Sequence, residues 1–300
     1  MDHLHDMTHI TSERHHHHSH APGMAHEGGH HLLQVEGLTI SFKMYEAADA
    51  PTRVGRYFLA EQRETETVRD LSISVHVGEI VAVVGASGSG KTLLADSILG
   101  MFEPNAKVTG DIWFDGELQT ADMLAKLRGN GISLIPQSVD SLDPLMRVGS
   151  QVVGRHGKQG IPRMRELFER YGLDESVGRL YPFELSGGMA RRVLLCCALM
   201  DDPKLIIADE PTPGLDLDLA VQALEDLRTF ANGGGGVLLI THDIELALRV
   251  ADRMAVFKDG TIVEETSVER FRSIEGLEHP FSQELMRALP ENEFIPRQAR

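Results

Sequence analysis

Apolar and polar residues alternate through Leu32-Leu33-Gln34-Val35-Glu36-Gly37-Leu38-Thr39-Ile40-Ser41-Phe42, the period of a half-buried strand. A polar stretch, about residues 46–67, predicts a long loop or hairpin. Alternation returns over residues 68–77 and ends at the turn His76-Val77-Gly78-Glu79. The apolar run Glu79-Ile80-Val81-Ala82-Val83-Val84 then reads as a buried strand, and Leu93-Leu94-Ala95-Asp96-Ser97-Ile98-Leu99 as a helix. Residues 110–116 predict a short strand and turn, and residues 131–136 another strand cut off by Pro136. From about Pro144 to Met200 the pattern is helical, broken at Gly172 and around Pro182. Residues 205–208 and 237–241 are short apolar runs of the parallel-strand type. Residues 255–257 and 261–263 flank Asp259-Gly260, a hairpin signal. The final thirty residues are polar and contain Pro280, Pro290 and Pro296, and no internal repeat is present. Strands alternating with helices predict an α/β core with a parallel sheet and a helical insertion.

Composition narrows the function class. The chain has 300 residues, 42% of them hydrophobic, enough for a sizeable core, and a net charge of −16. That charge, without a basic stripe, argues against nucleic acid as a partner. No apolar run approaches the roughly 20 residues of a membrane span, and the start of the chain lacks the pattern of a signal peptide. A cytosolic protein, or one peripheral on the cytosolic side of a membrane, is expected. Cys196 and Cys197 sit in an apolar helical run, which predicts core residues rather than redox or metal ligands. Eleven of the fifteen histidines fall within residues 1–31, with few apolar neighbours, so disorder is expected there.

The chemistry begins at Gly85-Ala86-Ser87-Gly88-Ser89-Gly90-Lys91-Thr92, which matches G-x-x-x-x-G-K-[ST] without a mismatch. Its glycines let backbone N–H groups turn inward on phosphate oxygens. Lys91 adds a point charge, and the Thr92 hydroxyl is a Mg²⁺ ligand candidate. The run lies between a buried strand and a helix, which is the context the motif requires. Downstream, Leu205-Ile206-Ile207-Ala208 leads into Asp209-Glu210. A strand end at the nucleotide places Asp209 near Mg²⁺ and gives Glu210 the position of a general base toward water. His242 follows the strand of residues 237–241, where an imidazole can bond the γ-phosphate or orient water. Gln137 follows Ile135-Pro136 and, as a lone glutamine, signals nothing by itself.

Between these motifs lies Leu185-Ser186-Gly187-Gly188-Met189, which resembles the signature motif of ABC-transporter ATPases. The order of phosphate loop, Gln137, signature, acidic strand, Gly214-Leu215-Asp216 and His242 is the order of that family, and the resemblance spans about residues 32–290. It implies a P-loop NTPase core of ABC ATPase type with an N-terminal antiparallel β-subdomain and an inserted helical subdomain at about 138–200. The ATPase domain would occupy 32–275 and a short C-terminal extension 276–300.

The resemblance further implies ATP bound by residues 85–93, ending at Leu93, with adenine on an aromatic ring near the first strand. Phe42, Tyr45 and Tyr57 compete for that place, with Phe42 in the expected position. Mg²⁺ would be held by Thr92, Gln137 and Asp209. Ser186, Gly187 and Gly188, where a helix starting near Ala190 begins, would bind the γ-phosphate held by a second ATPase subunit. That subunit, identical or a paralogue, would join a head-to-tail dimer that Asp216 crosses. Two integral-membrane permease subunits and an extracytoplasmic substrate-binding protein would complete an importer, with this chain peripheral on the cytoplasmic face of the bacterial inner membrane.

Within the family, Leu-Ser-Gly-Gly-Met resembles the ATPases of oligopeptide, dipeptide and nickel importers. Two further stretches agree, Asp140-Ser141-Leu142-Asp143-Pro144-Leu145-Met146-Arg147-Val148-Gly149 and His279-Pro280-Phe281-Ser282-Gln283-Glu284-Leu285. No cysteine follows Cys197, which argues against a C-terminal iron–sulfur cluster. The N-terminal imidazoles suit Ni²⁺ or Zn²⁺ as a metal buffer or sensor, with a purification-tag remnant and a solvated tail without function as the competing readings. The metal reading favours energising nickel (or nickel-chelator) import, with dipeptide or oligopeptide import as the alternative.

Overall fold

The computed structural model of the chain describes residues 31–46, 61–86, 88–201 and 203–289. The expectation of disorder for residues 1–31 lies outside them except at His31, which opens the first strand. Tyr57, Ser87 and the side chain of Tyr45 also lie outside what is described.

Ten strands form two sheets among the described residues. β1 (His31–Glu46), β2 (Glu61–His76), β4 (Ala106–Phe114) and β5 (Glu117–Leu118) make an antiparallel sheet in the order β2-β1-β4-β5. β3 (Ile80–Gly85), β6 (Ile132–Ile135), β7 (Leu205–Asp209), β8 (Gly236–Thr241), β9 (Arg253–Lys258) and β10 (Thr261–Ser267) make the second, in the order β10-β9-β3-β8-β7-β6. It is parallel except for the β9–β10 hairpin.

The central strands are apolar throughout because the parallel sheet is covered on both faces. Ile80, Ala82 and Val84 of β3 enter one core cluster, and Val81 and Val83 enter the other. On the first face pack α3 (Val148–Val153), α4 (Ile161–Arg170), α5 (Gly187–Met200), α6 (Leu217–Asn232) and α7 (Ile244–Val250). On the second lie α1 (Lys91–Ile98), α2 (Ala121–Leu127) and the antiparallel sheet. Each fully buried aliphatic side chain here contributes about 1.5–3 kcal/mol.

Two sequence expectations need correction, whereas the hairpin alternative for 46–67 is met, since β1 runs to Glu46 and pairs antiparallel with β2 from Glu61. The strand expected at 110–116 begins at Ala106, because residues 106–111 are largely exposed and their polarity hides the pairing of Phe42 with Ala106. The helix expected near Ala190 starts at Gly187, with Ser186 as its cap. The cap hydroxyl accepts a bond from the Met189 N–H and outweighs the poor helix propensity of two glycines.

The C-terminal stretch is also structured through residue 289. α8 (Val268–Phe271) is followed by α9 (Pro280–Arg287), capped by the His279 ring. Leu277 and Met286 enter the first core cluster, so this segment packs on the α/β core. Cys196 and Cys197 are core-facing residues of α5, and burial pushes both thiols up, that of Cys197 to about 12.

A charged group joins the two sheets. Glu79 accepts from the His76 backbone N–H and contacts the His76 ring, both at 2.8 Å, and accepts from Arg253 Nη1 at 2.9 Å. Arg253 also pairs with Glu265. Burial pushes the Glu79 carboxyl up, but the bonds from His76 and Arg253 more than offset it and hold it at about 2. A depressed folded value means stability that is present above the usual carboxylate value and lost as pH falls toward the folded one. Glu79→Gln is therefore expected to cost about 2 kcal/mol at neutral pH. Denaturant midpoints should show that the gap from wild type closes between pH 4.5 and about 2.

Candidate functional site

Strand register brings the candidate residues together. Val84 of β3 pairs with Thr241 of β8, and Asp209 of β7 with Ile240 of β8. Gly85, Asp209-Glu210 and Thr241-His242 therefore share the carboxyl edge of the parallel sheet, where open α/β sheets bind ligands.

The phosphate loop leaves β3 at Gly85, where any Cβ would stand 2.2 Å from the Phe257 carbonyl oxygen. Gly88 and Gly90 adopt φ of 75° and 106°, the left-handed region that favours glycine. Gly90 leads directly into α1, which has no side-chain cap and no acidic residue in its first turn. Its first N–H groups and dipole are thus available to an anion. Lys91 is buried and donates to the Gly85 and Ala86 carbonyls at 3.0 and 2.8 Å, so its charge is held inside the loop.

Two orphaned polar atoms mark what the loop accommodates. Ser89 Oγ and Asp209 Oδ1 are buried without a hydrogen-bond partner among the described residues. Buried oxygens of this kind are costly unless a ligand completes them. A hydroxyl suits a phosphate oxygen, and a carboxylate beside a threonine hydroxyl suits a hard divalent cation. The residues present therefore fit both a phosphate chain and Mg²⁺.

Burial pushes the Asp209 carboxyl above its usual value, assisted by the charges of Glu210 and Asp96 and opposed by a Thr92 hydroxyl bond and Lys91. Burial likewise lowers Lys91, against the pull of Glu210 and Asp209. A carboxylate raised in the folded state destabilises the nucleotide-free fold at neutral pH, and that cost falls away as pH drops through its folded value. Asp209→Asn should accordingly raise the nucleotide-free Tm by about 2–4 °C. Scanning calorimetry should also show that the variant loses the extra stabilisation given by ATP with Mg²⁺.

Glu210 is buried and adopts φ of 50°, an uncommon conformation for a side-chain-bearing residue. Its N–H bonds the Ile240 carbonyl at 2.8 Å, which turns the chain at the end of β7. Glu210 Oε2 meets His242 Nδ1 at 2.8 Å and accepts from the Thr241 hydroxyl at 3.4 Å. A carboxylate only accepts, so Nδ1 carries the proton in this contact. The His242 side chain is 57% exposed, so the pair spans from the sheet edge to the surface.

The other expected residues sit around this centre. The exposed Gln137 follows β6, and its carbonyl is held by Arg191 Nη2 at 2.6 Å. Phe42 is half-buried and lines a cavity of about 310 Å³ with Leu93, Asp96 and Phe102. Ser186 and Gly187 are exposed at the start of α5, and a Cβ on Gly188 would lie 3.2 Å from the Gly214 carbonyl. Asp216 caps α6 through the Leu219 N–H at 3.0 Å, beside Leu217, which is 66% exposed. The signature and the Asp216 turn thus abut one another on an exposed face.

Two participants were not singled out from the sequence. Thr241 reads as the last residue of a strand, with nothing to show that its hydroxyl reaches Glu210. Arg191 was readable only as a charge interrupting an apolar helix, next to the equally basic Arg192.

Known proteins share this fold and much of this sequence. The family model for ABC transporters matches residues 68–213. The oligopeptide transport ATP-binding protein OppD of Lactococcus lactis subsp. cremoris is 37% identical over 245 residues, covering 77% of this chain and 72% of the relative. AppD of Bacillus subtilis, also named an oligopeptide transport ATP-binding protein, is 33% identical over 254 residues, covering 78% and 76%. A solved ATP-binding subunit of an ABC transporter superposes with a TM-score of 0.65 at 25% identity, over 85% of this chain and 97% of that one. A dimeric cassette in a post-hydrolysis state, with ADP and phosphate bound, has the same fold, with a TM-score of 0.65 at 24% identity over 79% and 98%. With the phosphate loop, the acidic strand end and the signature helix in one fold, the chain belongs to the ABC transporter family as an ATP-binding subunit, an ATPase that uses ATP with Mg²⁺ and is coupled to transport.

Proposed function

We propose that this chain energises import of oligopeptides or dipeptides through a membrane ABC transporter. The observation that carries the reading is the 37% identity, over most of both chains, to a protein named for oligopeptide transport. Leu-Ser-Gly-Gly-Met at residues 185–189 supports the same branch. The relatives reverse the order of the two readings made from the sequence, placing peptide ahead of nickel. Nickel, or a nickel-chelator complex, remains the second reading because of the histidines in residues 1–31, which suit Ni²⁺ or Zn²⁺.

In the proposed chemistry, residues 85–93 hold the phosphates of ATP and Phe42 supports adenine. Thr92, Gln137 and Asp209 would hold Mg²⁺, whose chemistry when bound would be to neutralise phosphate charge. Glu210 accepts the proton of the attacking water, while His242 fixes the Glu210 carboxylate and faces the γ-phosphate. Ser186, Gly187 and Gly188 present a second anion site to the nucleotide of the other ATPase subunit, with Asp216 on the same interface. Leu145, 88% exposed, and Phe183, 74% exposed, lie within the helical insertion and suit contact with a permease. No helix among the described residues is long and apolar enough to cross a membrane, and the proposed place of the chain is the cytoplasmic face, bound to permeases. The importer would be completed by an extracytoplasmic substrate-binding protein.

The test uses the transporter assembled in liposomes with its binding protein. Peptide-loaded binding protein is expected to stimulate ATP turnover and peptide uptake. Stimulation by Ni²⁺ or a Ni²⁺ chelate but not by peptide would overturn the reading. Removing residues 1–31 and titrating Ni²⁺ calorimetrically reads the metal-binding role separately, since unchanged affinity would eliminate it.

A further inference from the structure

Among the described residues, Arg191 is the one buried cation besides Lys91 in the field of the acid pair, and the chemistry above does not use it. It projects from α5, the helix that opens with the signature residues, and is 7% exposed. Its guanidinium reaches across to the chain leaving β6, donating from Nη1 to the Pro136 carbonyl at 2.8 Å and from Nη2 to the Gln137 carbonyl at 2.6 Å. It also lies in the field of Glu210 and Asp209, whose charges favour its cationic form against the burial that lowers it. One side chain therefore ties the signature helix to the Gln137 segment, within the field of the acidic strand end.

We infer that Arg191 is the positioning residue for Gln137, its planar fork fixing two consecutive carbonyls so that the Gln137 amide is presented to the metal side of the site. The physical need is clear from the local chain. β6 ends at Ile135, and Pro136 carries no N–H, so the backbone there cannot continue the sheet ladder on its own. The Gln137 side chain is exposed, and its direction is set by its backbone. A guanidinium donates two near-parallel bonds in fixed geometry, which an ammonium on a flexible stem does not reproduce. Because Arg191 stands five residues beyond Ser186 on one rigid helix, movement of the signature helix and of the Gln137 segment is coupled through the same fork.

The inference rests on the proposed metal role of Gln137, and a double-mutant cycle separates the two. Arg191→Lys, Gln137→Ala and the double variant are compared by Mn²⁺ binding in the presence of a non-hydrolysable ATP analogue, read by electron paramagnetic resonance of free Mn²⁺, alongside ATP turnover. Arg191→Lys and Gln137→Ala should each weaken Mn²⁺ binding about tenfold, the scale of lost metal-positioning contacts. The double variant should match Gln137→Ala within about twofold, because Arg191 acts through Gln137. Unchanged Mn²⁺ affinity in Gln137→Ala overturns the metal role of Gln137. An Arg191→Lys loss that persists undiminished in the Gln137→Ala background overturns the link, as does wild-type Mn²⁺ affinity in Arg191→Lys. If Arg191→Lys melts early, Arg191→Gln, which retains a donor, enters the same cycle with the same criteria.

Discussion

Glu210→Gln should reduce ATP turnover by about 10²–10⁴-fold, the usual contribution of a positioned general base. The substitution is nearly isosteric. It keeps an oxygen that can accept from His242 Nδ1, and it leaves the turn at φ 50° and the N–H bond to Ile240 in place. What it removes is the proton acceptor. ATP binding and ATP-dependent dimerisation should persist, because Lys91, Ser89 and Asp209 are untouched. That split between lost turnover and retained association separates a catalytic role from a folding role. Turnover within about threefold of wild type would show that another group takes the proton.

Lys91→Ala should act at the earlier step. The ammonium is buried and donates to two loop carbonyls, so it is already in place for a phosphate without reorganising the loop. A charge-assisted bond of this kind contributes about 1.5–3 kcal/mol, so ATP affinity should fall by about 10–100-fold. Fluorescent-nucleotide titration of the isolated chain reads this directly. The nucleotide-free fold should lose little stability, since burial already disfavours the Lys91 charge. A large drop in Tm with unchanged nucleotide affinity would reassign Lys91 to a structural role.

Much of this site was legible in the sequence because its motifs are local. A phosphate loop needs glycines at fixed offsets, Gly85 and Gly90 here, and Gly90 takes the left-handed conformation, as does Gly88 at a variable position of the motif. Gly85 is held by a second, long-range requirement, the approach of the Phe257 carbonyl from β9, which the motif alone does not show. The apolar runs of β3, β7 and β8 marked a doubly covered sheet, and the structure supplies the order that places their ends side by side.

Less was legible where long-range pairing decides. β4 completes the N-terminal sheet from beyond the phosphate loop, and its exposed first half shows no clear alternation. Residues 64–66 of β2 are polar and exposed, so their strand character comes from pairing with β1. The start of α5 was misplaced by three residues because glycines suggested a turn, whereas the Ser186 cap decides. The links from Arg191 to Gln137 and from Thr241 to Glu210 join residues 54 and 31 positions apart, and single-chain patterns carry no signal for them.

The central claim is that the chain holds its own ATP with the phosphate loop and completes its partner's site with the signature. Ser186→Arg tests it most directly, because Ser186 is exposed and bonds only within its own helix end. The measurement is the ATP affinity of the isolated variant set beside its turnover in the assembled transporter. The account predicts affinity within about twofold of wild type and turnover reduced by at least about tenfold, the scale of losing one transition-state donor. Weakened ATP binding by the isolated chain, or undiminished turnover in the assembly, would contradict it.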